Sequence, residues 1–128
     1  SASMRLAAPF SIGAAAAIRA ALPEDFPLLP WPTGHLQELI GGLSVCQGML
    51  CSDGGAMHIG AALGLPIACF FGQSDVTTWR PWGVDYRVMQ PESCDVSDVT
   101  CTEALVALDD LWPAIVIRAE GSAEPHPA

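Results

Sequence analysis

One turn in the sequence combines the residue types of a ligand site. Ser52-Asp53-Gly54-Gly55 follows the short apolar segment 49–51 and precedes a small-residue helix predicted from Ala56 onward, whose first turn contains His58. Glycines let the backbone approach a ligand without an intervening Cβ, and the first amides of a helix, together with its dipole, favour negative charge. The turn therefore predicts a binding site for an anion, most simply a diphosphate.

Asp53 and His58 each have two interpretations. Asp53 is either the N-cap of the helix, alone or alternating with Ser52, or an acceptor for sugar hydroxyls at the rim of the site, and the two roles are compatible. A lone histidine on a helix is more often a satisfied structural residue than a ligand contact. The position of His58, five residues after Asp53, favours the ligand.

Other catalytic and metal motifs do not fit. The sequence has no G-x-x-x-x-G-K-[ST] phosphate loop, no complete G-x-G-x-x-G and no G-x-S-x-G nucleophile elbow at Ser52. Ser52, Asp53 and His58 share one turn, where neighbours do not line up as nucleophile, orienting group and base. A zinc site at Cys46, Cys51 and His58 has a spacing that fits no common ligand pattern. We therefore predict no catalytic residue, no metal and no cofactor in this chain.

The elements that must position this turn alternate between strands and helices. Residues 66–71 form a continuous apolar run bounded by Gly72, as is typical of a central strand buried on both faces. Apolar spacing predicts further strands at about 5–9, 27–29, 49–51 and 86–89, and a loop at 73–83. Helices are predicted at about 12–22 and 56–63, and another begins after an N-cap at Thr33 and frays at Gly41-Gly42. The last helix is predicted at about 102–116, with Thr102 as its N-cap and Pro113 as an early stop. This order predicts an α/β fold, a Rossmann-like three-layer unit with a parallel sheet.

Length, charge and cysteine content limit the class of protein. A chain of 128 residues suffices for one domain, and 51% of its residues are hydrophobic while only 15% are charged. The formal charge of -9 repels nucleic acid. Because every basic residue is an arginine, a bound anion must be held mainly by backbone amides or by arginine. The cysteines include no C-x-x-C pair and are interpreted as reduced thiols.

Both ends of the chain are predicted to lie outside the domain. Residues 1–3, before Met4, are interpreted as a remnant of cloning, residues 4–117 as the domain, and residues 118–128 as a disordered tail. The segment after Met4 imitates a secretory signal, but Arg19 interrupts it, so a strand and a helix are preferred. No apolar run approaches the ~18 residues that a membrane span needs.

The segment SDGGAMHIGAALGLPIACFFGQSD, continued by TTWRPWG, resembles the C-terminal half of glycosyltransferase family 9, the ADP-heptose:lipopolysaccharide heptosyltransferases. Members of that family have an aspartate, a glycine-containing pair and a histidine at such a turn, followed by a small-residue helix, an apolar strand and an F-G or Y-G pair. The resemblance extends from about Arg5 to Trp112. It implies part of the C-terminal nucleotide-sugar domain of a GT-B enzyme, in which two Rossmann-like domains face each other across a cleft.

The resemblance also implies roles for single residues at the turn. Asp53 would contact the sugar, and His58 would approach the phosphate or the heptose. The backbone amides of Gly54, Gly55 and Ala56 would bind the diphosphate.

Two further segments would border the ligand. Residues 32–36, which include Thr33 and Gly34, match the part of the family that lies near the adenine. Residues 72–75 would line the edge of the cleft.

The resemblance implies partners and a location as well. The ligand would be ADP-heptose or another nucleotide sugar, the acceptor a lipopolysaccharide core, and the location the cytoplasm, peripheral to the inner membrane. By the resemblance, the chain is expected to lack the first strand and helix of the nucleotide domain with their lysine and hydroxyls, and it reads Ser11-Ile12-Gly13 where relatives often carry a ribose-binding glutamate. The same comparison with the family implies that the N-terminal acceptor domain, which holds the aspartate base, is also outside this chain. We therefore expect the chain alone to be inactive in transfer.

Two alternatives remain open at this stage. The first is a non-catalytic, truncated family member that acts as a binding or self-association module, for example as a homodimer. The second is a different GT-B enzyme that uses a uridine donor.

Overall fold

The computed structural model describes residues 12–31 and 33–121. The chain divides into two compact units, residues 1–42 and residues 43–128. The predicted domain over 4–117 includes parts of both units, and its bounds stay a prediction. Within the described part of the chain, no helix is long and apolar enough to cross a membrane.

The first unit contains α1 (Ile12–Ala21) and most of α2 (Leu36–Ser44). The helix predicted over 12–22 is confirmed. After it, the guanidinium of Arg19 donates to the carbonyl oxygens of Phe26, at 2.9 Å, and of Pro23, and so holds the loop against the end of α1. The strand predicted at 27–29 is reduced to a single bridge at Leu28. The strand predicted at 5–9 lies outside the described residues.

The start and the end of α2 differ from the prediction. Thr33 is not the N-cap, because the helix begins at Leu36 and the carbonyl of His35 accepts its first hydrogen bonds, from Glu38 and Leu39. The amide of Gly34 instead donates to the Glu38 carboxylate at 3.0 Å. The predicted fraying at Gly41-Gly42 is also wrong, since the helix continues to Ser44.

The second unit is a parallel sheet between helices. Its elements are β1 (Met49–Ser52), α3 (Gly55–Ala62), β2 (Ile67–Phe70), α4 (Val76–Trp79), β3 (Tyr86–Met89), a 3₁₀ turn at Val96–Asp98 and α5 (Cys101–Gly121). The three strands lie in the order β1-β2-β3, and both pairs are parallel, with Met49 opposite Ile67 and Ile67 opposite Tyr86. The predicted α/β, Rossmann-like arrangement is therefore confirmed.

The central strand β2 explains why its sequence is apolar throughout. Ile67, Cys69 and Phe71 pack with α3 residues in one core cluster, whereas Ala68 packs with α5 residues in a second cluster. Because successive side chains of a strand point to opposite faces, α3 and α5 cover the two faces of the sheet. The prediction of a central strand buried on both faces is confirmed.

A close approach between α3 and β1 fixes the position of that helix. Gly60 is buried in α3, and a Cβ at this position would lie 2.6 Å from the Sδ atom of Met49. An alanine there would therefore require the Met49 side chain to shift or the helix to move away from the strand. The start of α3, which carries the predicted ligand turn, depends on this packing.

The last helix, α5, is longer than predicted at both ends. It begins at Cys101, and its N-cap is Thr100 rather than the predicted Thr102. The hydroxyl of Thr100 accepts a hydrogen bond from the amide of Glu103 at 3.1 Å. Pro113 lies inside the helix and does not end it. A proline leaves one carbonyl of the preceding turn without its donor, and Pro113 lies on the exposed side of α5, where water can replace that bond. Residues 118–121, predicted as part of a disordered tail, are helical, and residues 122–128 lie outside the described residues.

Candidate functional site

The predicted turn lies where β1 ends and α3 begins. The amide of Asp53 donates to the carbonyl of Phe70 at 2.9 Å, so the ladder between β1 and β2 continues through Asp53. The N-cap of α3 is Gly54, with φ 149° and ψ −171°. The prediction that Asp53 or Ser52 caps the helix is therefore wrong, because Asp53 is still held in the sheet one residue too early. In the described part of the chain its carboxylate accepts no hydrogen bond, which leaves it available to a ligand.

The first turn of α3 offers unused hydrogen-bond donors. The first helical bond is donated by the amide of His58 to Gly54, at 3.4 Å, so the amides of Gly55, Ala56 and Met57 come before it. Across residues 12–31 and 33–121 these three amides have no acceptor, and no side chain caps the helix. A Cβ built on Gly54 or Gly55 would meet no atom within 4 Å. Donors, helix dipole and open space together suit a bound anion.

His58 is exposed on α3 and is not a buried structural histidine. Its ring makes an edge contact with the indole of Trp79, with centroids 6.3 Å apart and planes inclined by 60°. Trp79 ends the short helix α4, which follows β2 in a segment predicted as loop only. The contact joins the segments that follow two neighbouring strands. Sequence reasoning placed Trp79 in that loop but did not assign it to the site, because residues 21 positions apart give no local signal of contact.

The segment 72–75 follows the carboxyl end of β2, as predicted for the border of a cleft. The amide group of Gln90, which directly follows β3, donates to the carbonyls of Gly72 at 2.8 Å and Ser74 at 3.1 Å. Asp75 caps α4 and accepts the hydroxyl protons of Thr77 and Thr78 at 2.6 and 2.9 Å. These hydrogen bonds, led by that of Thr77, lower the pKa of the Asp75 carboxyl. The segment is therefore held by Gln90, at the end of β3, and by the cap that Asp75 forms on α4.

The two cysteines in the strands below the turn, Cys51 and Cys69, are unreactive at neutral pH. Cys51 of β1 lies opposite Cys69 of β2 in the sheet register. Burial, assisted by the negative charge of Asp53, raises the pKa of Cys51 to about 11. Burial, followed by the influence of Cys51 and of Asp53, raises the pKa of Cys69 to about 12. Both thiols keep their protons at neutral pH, and a thiol is a poor nucleophile or metal ligand in that state.

The structure brings together five of the seven predicted site residues. Asp53, Gly54, Gly55, Ala56 and His58 lie in one continuous turn at the carboxyl edge of the sheet. The other two, Thr33 and Gly34, belong to the first compact unit, and their role beside an adenine stays a prediction. Among the described residues, no group of three or more His, Cys, Asp or Glu side chains could hold a metal ion. Cys46, Cys51 and His58 therefore do not form such a group in the structure.

Comparison with known proteins gives one match. The model of the family described as glycosyltransferase family 9 (heptosyltransferase) matches residues 13–105, which is well over half of the chain. The matched segment contains the turn, α3, the three strands and the loop with Trp79. Searches of curated proteins and of solved structures gave no match.

Proposed function

Because the chain belongs to glycosyltransferase family 9, we propose that it binds the diphosphate of a nucleotide sugar, ADP-heptose, at the turn that leads into α3. The observation that carries the proposal is the set of three amides, at Gly55, Ala56 and Met57, that have no acceptor among the described residues, beside two glycines that leave the approach open. The chain has no lysine, so these amides and the helix dipole supply the positive end of the site.

The other residues of the turn suit a sugar nucleotide. The carboxylate of Asp53 is half-buried and accepts no hydrogen bond within the described residues, so it is free to accept two sugar hydroxyls. His58 lies one turn into the helix, within reach of the phosphate or the sugar that follows it. Asp53 and His58 thus border the diphosphate site, as expected for residues that select the sugar.

In the complete reaction we expect this chain to bind the leaving group. An acceptor hydroxyl of lipopolysaccharide core would attack the anomeric carbon, the bond from that carbon to the diphosphate oxygen would break, and ADP would leave with an added negative charge. The amides at the start of α3 are placed to stabilise that charge. The acceptor and the base that takes its proton would belong to a second domain of a GT-B enzyme at the cytoplasmic side of the inner membrane. The chain alone would then bind the donor without transferring the sugar.

Calorimetric titration of ADP and of ADP-heptose into the chain tests this function. We expect binding in the micromolar to millimolar range, with Asp53→Ala weakening ADP-heptose roughly tenfold because a charged hydrogen-bond acceptor is lost. His58→Ala is also expected to weaken binding. Asp85→Ala is the matched control, since Asp85 precedes β3 at the opposite edge of the sheet and should change nothing. A folded sample that binds neither compound would contradict the proposal, and preference for a uridine diphosphate sugar would change the donor.

A second candidate function, self-association, is favoured by the outer face of α5. This face carries five exposed apolar side chains, which recur at helical spacing on the side away from the buried Ala107 and Leu111: Leu105, Val106, Trp112, Val116 and Ile117. Leu105 is 63% and Ile117 68% exposed. Together these side chains present about 500 Å² of apolar surface, which is in the range of the largest patch on a typical monomer, and such patches often have a function.

A second copy of the chain is the occupant that we propose for this face. Two such faces would bury about 1,000 Å² in total, which is near the lower limit of specific interfaces and predicts a weak homodimer. Sedimentation velocity as a function of concentration tests this, with Ile117→Glu expected to shift the chain to monomer. Val45→Glu is the control, because Val45 is 74% exposed and lies outside α5. A wild-type chain that stays monomeric would contradict self-association and would favour another domain as the occupant.

A further inference from the structure

Trp79 presents an indole that the described residues do not use. The side chain is 55% exposed, although a tryptophan is usually largely buried. Its ring lies beside that of His58 in an edge arrangement, with centroids 6.3 Å apart. Within the described ranges its Nε1–H donates no hydrogen bond. More than half of the surface of Trp79, together with its Nε1–H donor, is therefore accessible to a ligand beside the turn.

The structure holds the backbone that carries this indole in place. Trp79 is the last residue of α4, and its amide donates to the carbonyl of Asp75 at 3.0 Å. Asp75 in turn accepts from Thr77 and Thr78, and Gln90 binds the segment before it. A position fixed in this way lowers the entropy lost when a ligand packs against the ring.

The neighbouring Trp82 differs from Trp79 in what covers it. Trp82 is 77% exposed, and the guanidinium of Arg80 lies over its ring, 5.4 Å from the centroid. The same guanidinium lies 5.8 Å from the ring of Tyr86. Arg80 therefore occupies a face of Trp82 by a cation–π contact, whereas no cation covers Trp79 in the described part of the chain. The two residues form a matched pair of exposed tryptophans, Trp82 with a cation over its ring and Trp79 with none among the described residues.

We infer that Trp79 is a platform for the sugar of the donor, packed against the C–H groups of its ring and positioned by the edge of His58. This inference rests on the proposed function. Sugars combine hydroxyl edges with apolar C–H faces, and their sites pair polar acceptors with aromatic rings. Asp53, on the same turn as His58, would supply the polar acceptor, and Trp79, in contact with His58, the ring. Trp79 is thus a positioning residue that selects the sugar and leaves the diphosphate to the amides of α3.

Titrations of ADP and ADP-heptose into four forms of the chain test the inference: wild type, Trp79→Ala, Trp79→Phe and Trp82→Ala. For Trp79→Ala we expect ADP-heptose to bind about three- to tenfold more weakly, the loss of one aromatic contact, while the affinity for ADP changes by less than about twofold. Trp79→Phe keeps a flat ring and should restore most of the lost affinity. Trp82→Ala should bind both compounds like the wild type.

The outcomes separate the inference from the function on which it rests. Equal weakening of ADP and ADP-heptose by Trp79→Ala would overturn the sugar platform and indicate stacking on the adenine instead. Unchanged binding of both compounds would overturn any ligand role of Trp79 while leaving the diphosphate site intact. If the folded wild-type chain binds neither compound, the proposed function fails and the platform fails with it.

Discussion

The two glycines of the turn should respond to alanine with opposite signs. Gly54 has φ 149°, a region that L residues rarely adopt, and a Cβ there would touch nothing within 4 Å. The cost of Gly54→Ala is therefore backbone strain alone, about 1–3 kcal/mol, offset by about 0.4–1 kcal/mol from the smaller entropy of the unfolded chain. We expect a net loss of about 1–2 kcal/mol in the free energy of unfolding.

Gly55→Ala has the same open surroundings but a helical backbone, since Gly55 is the first residue of α3. Alanine is the better helix former, so the free energy of unfolding should rise by about 0.5–1 kcal/mol. The added methyl group nevertheless projects into the space through which a diphosphate must approach the amides. This variant should therefore be more stable than the wild type and bind ADP more weakly.

Urea denaturation and calorimetric titration of ADP, applied to both variants and the wild type, check the pair. If Gly55→Ala gained stability and kept its full affinity for ADP, the amides would not lie against the ligand, and the argument for the site would fail. If Gly54→Ala lost no stability, the strained conformation would not be present in the folded chain.

Three further predictions concern stability. Arg118→Ala removes three hydrogen bonds to carbonyl oxygens and should lower the free energy of unfolding by about 1–3 kcal/mol, measured by urea denaturation. A change below ~0.5 kcal/mol would show that water replaces these bonds. Because folded Cys51 and Cys69 titrate near 11 and 12 and an unfolded thiol near 9.0, the folded state keeps protons that the unfolded state loses. The contribution of these thiols to the free energy of unfolding should thus be fully present below pH 9 and be lost as pH rises through 11 and 12, less steeply in Cys51→Ala, and a flat alkaline profile would contradict the raised values. Gly60→Ala should lower the free energy of unfolding by about 1–3 kcal/mol through overpacking. Adding Met49→Ala to the same chain should restore part of that loss, whereas additive losses from the two substitutions would show that the added methyl group does not clash with Met49.

Much of the second unit could be predicted because its signals are local. The run at 66–71 is apolar at every position, which only a strand covered on both faces requires, and the strand at 86–89 was predicted with the bounds that the structure has. The glycine turn before α3 was equally visible. Each of these signals is contained in fewer than ten consecutive residues.

The predictions from sequence were wrong or incomplete where a segment distant in the chain determines the local structure. Asp53 looks like an N-cap in sequence, but the carbonyl of Phe70, 17 residues later, holds its amide in the sheet and moves the cap to Gly54. Pro113 looks like a helix stop, yet the exposed side of α5 tolerates it. The contact of His58 with Trp79 depends on the packing of α3 and of the segment after β2, which no spacing rule encodes.

The guanidinium of Arg118 supports the elements around the ligand turn, and it is synthesised after them. It donates to the carbonyls of Leu63 and Gly64, at the end of α3, and to that of Cys46, just before β1. Arg118 follows Gly64 by 54 residues, which a ribosome needs about 3 to 11 s to add. During that interval the helix that begins at the ligand turn lacks its final hydrogen-bond donors. The turn therefore emerges from the ribosome before α5 and acquires its full support only near the end of that helix.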